Sequence, residues 1–348
     1  MEIGLGLDFS LGLSFEDQRS LACEAAELGY AQVWTPEGAG VDAFQLCAMR
    51  WQDSREIVPE GLRTGISVSP VAYRTPMGFA MSAGTLGAMT RGRFILGIGS
   101  GGIYRADVRT AMGIRTPSTL AAMRDYLAVI RGLLAGETVE YEGPAITARG
   151  LHLAIDPPPR TPVYLGALGP RMLELAGEAA DGVCLNWCTV QQVTAARQRV
   201  DAAARQAGRA AGSVPLVQYI RICVDDDVAT ARRGLARATL GYALGPATGD
   251  RDRRFGYRPH FERMGFAADL ADLDRRRDAG ASLDDLCDAV SDDLLQAVGY
   301  YGAPDGASEH FARLAAGLDV PIVRVVAARP GLEATRAVMR ACAPGARP

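Results

Sequence analysis

Residues 92–102 read GRFILGIGSGG. The apolar run RFILGI (93–98) has the composition of a buried strand, and Gly97, Gly99 and Gly102 at its end match G-x-G-x-x-G. In a dinucleotide fold that pattern must end the first strand of a βαβ unit and open a helix at once. It also requires an acidic residue about 20 positions later, at the end of the next strand. Here three strand-like stretches precede it, EIGLGLD (2–8), AQVWT (31–35) and LRTGISVS (62–69). The segment after it, IYRADVRTAMGIRTPS (103–118), is broken and polar, and the acidic candidate Asp125 falls inside an amphipathic helix. The context argues against a nicotinamide reading. Two uses remain for glycines at the C-terminal end of a later strand: a tight turn that needs positive φ, or a backbone that lies against a flat ring or a phosphate with no Cβ in the way.

Outward from this segment the chain alternates strand and helix. Ser14, with Asp17 three residues on, caps a helix that runs to about Leu28 and ends at Gly29. A small-residue helix spans roughly 77–90, and a second runs from Ser118 to Ala135 with Leu120, Met123, Leu127, Ile130 and Leu134 on one face. TVEYEGPAITARGLHL (138–153) reads as a hairpin excursion. PVYLGA (162–167), GVCLN (182–186), LVQYIRICV (216–224) and PIVRVVAA (321–328) complete eight strands. Eight strand–helix pairs with excursions, in one domain over 1–348, predict an α/β fold of the TIM (β/α)8 barrel type with insertions. A doubly wound sheet is the alternative. Residues 243–291, rich in Arg and Asp and without a clean period, read as a lid or insertion.

The bulk composition narrows the chemistry. A net charge of −3 argues against a nucleic-acid or anionic-membrane partner. No stretch approaches the roughly 18–20 uninterrupted apolar residues of a membrane span, and the start, MEIGLGLDF, lacks a signal-peptide flank. Seven cysteines without framework spacing suggest free thiols, hence a cytoplasmic setting. Cys184 and Cys188 lie four apart, but no further ligands complete a metal set, so none is expected. The chain contains no lysine, which removes Schiff-base chemistry and Walker-type phosphate loops together. With three histidines, multi-histidine metal hydrolases are also disfavoured.

A second glycine segment bears on the first. In VYLGALGPRMLELAGEAADG (163–182) a strand runs into Gly166, Ala167, Leu168 and Gly169, and Pro170 stands at a first helical position. A helix start offers unpaired N–H groups and positive dipole character, worth about 0.3–1 kcal/mol toward an anion. Arg171 in that first turn is either a phosphate partner or a solvated side chain.

These segments together resemble the bacterial-luciferase-like family of flavin and deazaflavin oxidoreductases, in particular its coenzyme F420 branch. The resemblance rests on GYAQVWTPEGAGVDAF (29–44), TGISVSPVAYRTP (64–76), GRFILGIGSGG (92–102), PPRTPVYLGALGPRMLELAGEAADGV (158–183) and VPIVRVV (320–326), in order along nearly the whole chain. It implies a TIM barrel whose C-terminal mouth holds the ring, with the cofactor phosphate near Gly166, Ala167, Leu168, Gly169 and Arg171. It implies a non-proline cis peptide at Ser67–Val68 behind the ring, with Ser69 nearby, and Gly99, Ser100 and Gly101 along another edge. Asn186 falls where relatives direct a polar side chain at the cofactor. Glu37 stands at the family's acidic position, although Gly38 replaces the histidine some relatives carry next.

The activity so implied is hydride transfer between the deazaflavin C5 of F420 and a small-molecule or peptide-borne substrate. The alternative is a two-component monooxygenase using reduced FMN. A non-catalytic flavin binder or a barrel enzyme of another class is the third reading. Glu37, Asp8, Tyr73 or a bound water would exchange the proton. Phe255, Tyr257, His260 and Phe261 with Arg251, Arg253 and Arg254 would roof the substrate, or form only a solvated lid. A homodimer and a separate cofactor-reducing enzyme are the partners the resemblance implies.

Overall fold

Apolar runs bounded by glycine, proline and helix caps become strands, and eight of them close into a ring. The structure is a computed structural model that describes residues 2–115, 118–156, 158–244 and 256–345. The strands are β1 (Gly4–Gly6), β2 (Gln32–Thr35), β3 (Arg63–Pro70), β4 (Phe94–Gly99), β5 (Val139–Glu142) and β6 (Thr147–Leu151). They continue with β7 (Val163–Gly166), β8 (Gly182–Asn186), β9 (Leu216–Val224), β10 (Gly299–Gly302) and β11 (Val320–Val325). All ring neighbours are parallel, in the order β11-β1-β2-β3-β4-β7-β8-β9, and β9 pairs back to β11. The chain is therefore a TIM barrel, not a doubly wound sheet.

The helices of the first half are α1 (Phe15–Glu27), α2 (Ala43–Ser54), α3 (Pro76–Met89), α4 (Ala106–Ala111), α5 (Thr119–Leu134), α6 (Pro170–Ala179) and α7 (Val190–Gln206). Those of the second half are α8 (Val228–Ala243), α9 (Arg258–Phe261), α10 (Ala267–Asp278), α11 (Leu283–Ala289), α12 (Asp292–Val298), α13 (Ala307–Leu314) and α14 (Leu332–Ala341). Ser14 and Asp17 form the capping box that starts α1, and Gly29 succeeds that helix at φ 85°. Asp125, buried on α5, accepts hydrogen bonds from Tyr141 Oη at 2.8 Å and from the backbone N–H groups of Ala145 and Ile146. It fastens the antiparallel β5–β6 hairpin to the barrel wall.

Several elements escaped the sequence reading, among them α2, α7, α12 and α13. The polar stretch after β4 contains the short helix α4, and β10 extends the sheet by pairing with the C-terminal half of β9. The described part of the insertion is helical. Leu270, Leu273, Leu286 and Cys287 bury against Trp187, Leu235 and Phe261 in a second apolar cluster. Its period was hidden because the helices are short, are interrupted at Gly265 (φ 101°) and carry Arg–Asp pairs such as Arg276–Asp272 on their outer faces. Residues 245–255, and with them Arg251, Arg253, Arg254 and Phe255, lie outside the described residues.

Inside the ring, Trp34, Ile95, Tyr164, Cys184, Val217, Tyr219 and Ile322 fill the interior as a packed plug. The glycines of β4 answer to β3. A methyl at Gly97 would overlap the Ile66 carbonyl oxygen, and one at Gly99 would overlap Val68 Cγ2. We expect Gly97→Ala to force these two strands apart and to cost about 1–3 kcal/mol through overpacking. A drop in the thermal unfolding midpoint with unchanged far-UV circular dichroism checks it; an unchanged midpoint refutes it.

Candidate functional site

The site is built where the strands end. The Ser67–Val68 peptide is cis, and the β3–β4 register shifts between Ile66 and Ser69. Val68 is the half-buried member of that segment, and its side chain lies between two glycines on neighbouring strands. Gly99 touches one face of it, and a Cβ at Gly166 would stand 3.2 Å from its Cγ1. A bare apolar shelf results, made of one branched side chain and two stretches of main chain. Ser67, beneath it, hydrogen-bonds the Cys184 thiol, which burial pushes up to about 12.

Behind the shelf stands an ion-pair clamp. Glu37 is 8% exposed, and its carboxylate accepts from Arg74 Nη1 at 2.6 Å and Nη2 at 2.7 Å. It also accepts from the fully buried Ser69 hydroxyl and from the Ala43 N–H at 3.3 Å. The Glu37 N–H donates to the Val68 carbonyl at 3.2 Å. Arg74 reaches Asp42 Oδ2 at 2.5 Å as well, and its guanidinium lies 4.7 Å from the centroid of the Phe44 ring. Glu37 is thus committed to holding the end of β3. Sequence reasoning placed Glu37 and Ser69 but missed Arg74, although it sits in the same SPVAYRTP segment.

On one flank, Gly166, Ala167, Leu168 and Gly169 lead into α6. Gly169 is its N-cap, with no side-chain cap bond, no acid in the first turn and open space where a Cβ would stand. Arg171 is exposed beside it. That helix start is free to take an anion. A groove of about 680 Å³ begins at Leu168 and Pro170 and runs between α6 and α7 to Cys188, His260 and Arg263. Ser100 and Gly101 form the turn after β4, with Gly101 at φ 54° and exposed.

Across the barrel the ends of β8, β9, β11 and β1 carry polar groups. Asn186 accepts from Arg221 Nη1 and donates to Tyr257 Oη at 2.6 Å. Arg221 is 3% exposed, and its guanidinium lies 3.7 Å from the centroid of the Trp187 ring. Asp8, at the end of β1, is ion-paired with Arg324 and accepts from the Ser10 N–H at 2.8 Å. Tyr73, by contrast, is 37% exposed on the turn after β3, and no hydrogen bond to its hydroxyl occurs among the described residues. The structure therefore joins Val68, Gly99 and Gly166 in one contact and Glu37 with Ser69 in another, and leaves Tyr73 and Arg171 at the surface. Arg221 and Arg324 were missed. Their signal was present, as a single arginine inside each of the apolar strands LVQYIRICV and PIVRVV.

Cys188 and His260 look like a nucleophile–base pair, with Sγ to Nε2 at 3.7 Å. Burial instead pushes the thiol up to about 12 and the imidazole down to about 4. His260 Nε2 donates to the Trp187 carbonyl at 2.9 Å, so it has no lone pair for the thiol proton. The contact is structural. Among the described residues no group of three or more His, Cys, Asp or Glu gathers as metal ligands. No helix there is long and apolar enough to cross a membrane.

Comparison with known proteins bears on the family and the fold. Residues 5–319 match the family model for luciferase-like monooxygenases. The chain is 30% identical over 307 residues to a 5,10-methylenetetrahydromethanopterin reductase of Methanolobus tindarius, covering 88% of each. Its fold is similar to that of the coenzyme F420-dependent tetrahydromethanopterin reductase of Methanopyrus kandleri (TM-score 0.74, 20% identity, 97% of each chain). It is equally similar in fold to an F420-dependent secondary alcohol dehydrogenase solved with an F420–acetone adduct (TM-score 0.75, 16% identity, 100% of this chain and 99% of that one).

The clamp and the buried histidine each give a measurable consequence. Glu37→Gln leaves Arg74 with Asp42 alone in a mostly buried position, and we expect a loss of about 3 kcal/mol. Chemical denaturation measures it, and a loss within error of zero would show the clamp to be idle. His260 folds neutral, with its value held at about 4 against the usual 6.5. Its contribution is therefore fully present above pH 6.5 and is lost as pH falls toward 4, by about 3 kcal/mol. Stability measured between pH 7 and 4 should fall less steeply in His260→Gln than in the unsubstituted chain.

Proposed function

This chain belongs to the luciferase-like monooxygenase family, and from that premise we propose that it is an oxidoreductase working with coenzyme F420 on a small organic substrate. The observation that carries the reading is the shelf: half-buried Val68 between Gly99 and Gly166, one strand end away from an uncapped helix start at Gly169. A planar tricycle needs a flat apolar support, and a phosphate needs N–H donors without a competing carboxylate. Both are adjacent here. Relatives whose names carry F420, one as an F420-dependent oxidoreductase and one as an F420-dependent glucose-6-phosphate dehydrogenase, support the choice of deazaflavin over FMN.

Bound on that shelf, F420 supplies a two-electron hydride carrier whose reactive atom is a carbon. The rest falls to the chain. Val68, Gly99 and Gly166 hold the ring, and the first turn of α6 with Arg171 takes the phosphate. Glu37 acts as a positioning residue, since its backbone and side chain both tie down the end of β3. The helices of residues 256–291 pack beside Asn186 through Tyr257 and serve as a lid that excludes water. With Glu37 and Asp8 both engaged by guanidinium groups, the proton is exchanged through Tyr73 or through water entering the mouth.

Parallel titration of the purified chain with F420 and FMN tests the reading. Saturable quenching of F420 fluorescence, with FMN bound more weakly, is the expected result. Tight reduced FMN with oxygen consumption would turn the reading into a monooxygenase. A second variant addresses the phosphate. Gly169→Asp puts a favourable N-cap residue into open space (φ −88°), so the helix is not weakened. Its carboxylate should nonetheless lower F420 affinity at least tenfold by occupying and repelling at the phosphate position. Retained affinity would place the phosphate elsewhere.

A further inference from the structure

Along β9, Val217 and Tyr219 point into the barrel plug, and along β11 Ile322 does the same. Strand alternation then sends Arg221 and Arg324 inward too, one step nearer the mouth. The two are direct register partners on adjacent parallel strands, Arg324 opposite Arg221. Gly6, the register partner of Arg324 on β1, leaves the room that its side chain occupies. Like charges placed opposite each other across a sheet oppose folding, and burial makes this worse. Both arginines are nevertheless buried, at 3% and 6% exposure.

Their partners do not balance them. Asp8 pairs with Arg324. Arg221 has the Asn186 amide oxygen, the Tyr219 carbonyl and the Tyr242 hydroxyl, and no carboxylate within ion-pair distance among the described residues. Arg324 Nη1 and the Tyr219 hydroxyl are buried without a hydrogen-bond partner. The Tyr219 ring lies below both guanidinium groups, with its centroid 4.9 Å from the carbon of Arg324 and 6.0 Å from that of Arg221. Two cations, one anion and two idle donors therefore share one wall of the mouth. The Val68 shelf belongs to β3, on the opposite side of the ring of strands.

From this wall we infer that the substrate carries a carboxylate, received by Arg221, Arg324 and the Tyr219 hydroxyl, which turns the rest of the molecule toward Val68. A planar carboxylate offers two oxygens to guanidinium forks and to the hydroxyl, and supplies the missing negative charge. The inference deepens the oxidoreductase reading by naming a substrate class, but its test requires no turnover.

The full chain is titrated with acetate, succinate and benzoate, and separately with their amides. Heat of binding is one readout, and tryptophan emission, to which Trp187 stacked on Arg221 contributes, is the other. At least one acid should saturate and bind at least tenfold more tightly than its amide. Arg221→Met should lose at least tenfold in that affinity, and Arg221→Lys should recover part of it, with far-UV circular dichroism reporting the fold. If Arg221→Met does not fold, the acid-against-amide comparison on the unsubstituted chain decides alone. No acid preference in any pair overturns the inference, as does acid affinity unchanged in a folded Arg221→Met. F420 is titrated into the same proteins. If Arg221→Met loosens F420 and leaves the acids alone, the charge serves the cofactor and the inference falls. If F420 never binds while the acids do, the cofactor reading fails and the carboxylate inference stands.

Discussion

The seating of Val68 between Gly99 and Gly166 is the constraint on which the site depends. A side chain on β3 can stand proud at the mouth only if β4 and β7 both withdraw their own, and each does so by presenting glycine. The backbone of β3 must also end at a fixed height. That is the work of Glu37, which ties the Val68 carbonyl, the Ser69 hydroxyl and Arg74 into one buried knot. Packing on one side and charge on the other therefore define the same few ångströms of main chain, and together they produce the flat surface.

The positive charge of the mouth is that of arginine, since the chain has no lysine. A guanidinium keeps its charge where an ammonium would shed it, and its planar fork can stack and hydrogen-bond at once. Arg74 over Phe44 and Arg221 over Trp187 both do so. Arg74 is neutralised within the protein by Glu37 and Asp42. The Arg221–Arg324 wall is not neutralised to the same degree. This contrast separates a clamp that serves the fold from a charge held for something outside it.

How much of this was legible depends on the range of the interaction. The eight barrel strands could be read because each is a short β-branched or apolar run between turn and cap residues, as in GVCLN or LVQYIRICV. The helix starts at Ser14 and Pro170 were legible for the same local reason. The glycine loop was legible as a close approach, but its neighbour was not: Val68 and the Ile66 carbonyl come from a strand some thirty residues earlier. Arg74, Arg221 and Arg324 were visible as letters. Their roles arise only when closure brings β2 beside β3, β9 beside β11, and β11 beside β1. The helices between residues 256 and 291 stayed hidden because their apolar positions are few and their exposed faces are laced with short-range ion pairs.

The aromatic and aliphatic plug formed by Trp34, Tyr164, Tyr219 and their neighbours has one more consequence. It makes the barrel a cul-de-sac. Whatever enters must back out by the same doorway, so two guests that share it are stacked in sequence, and the inner one is detained until the outer one has gone.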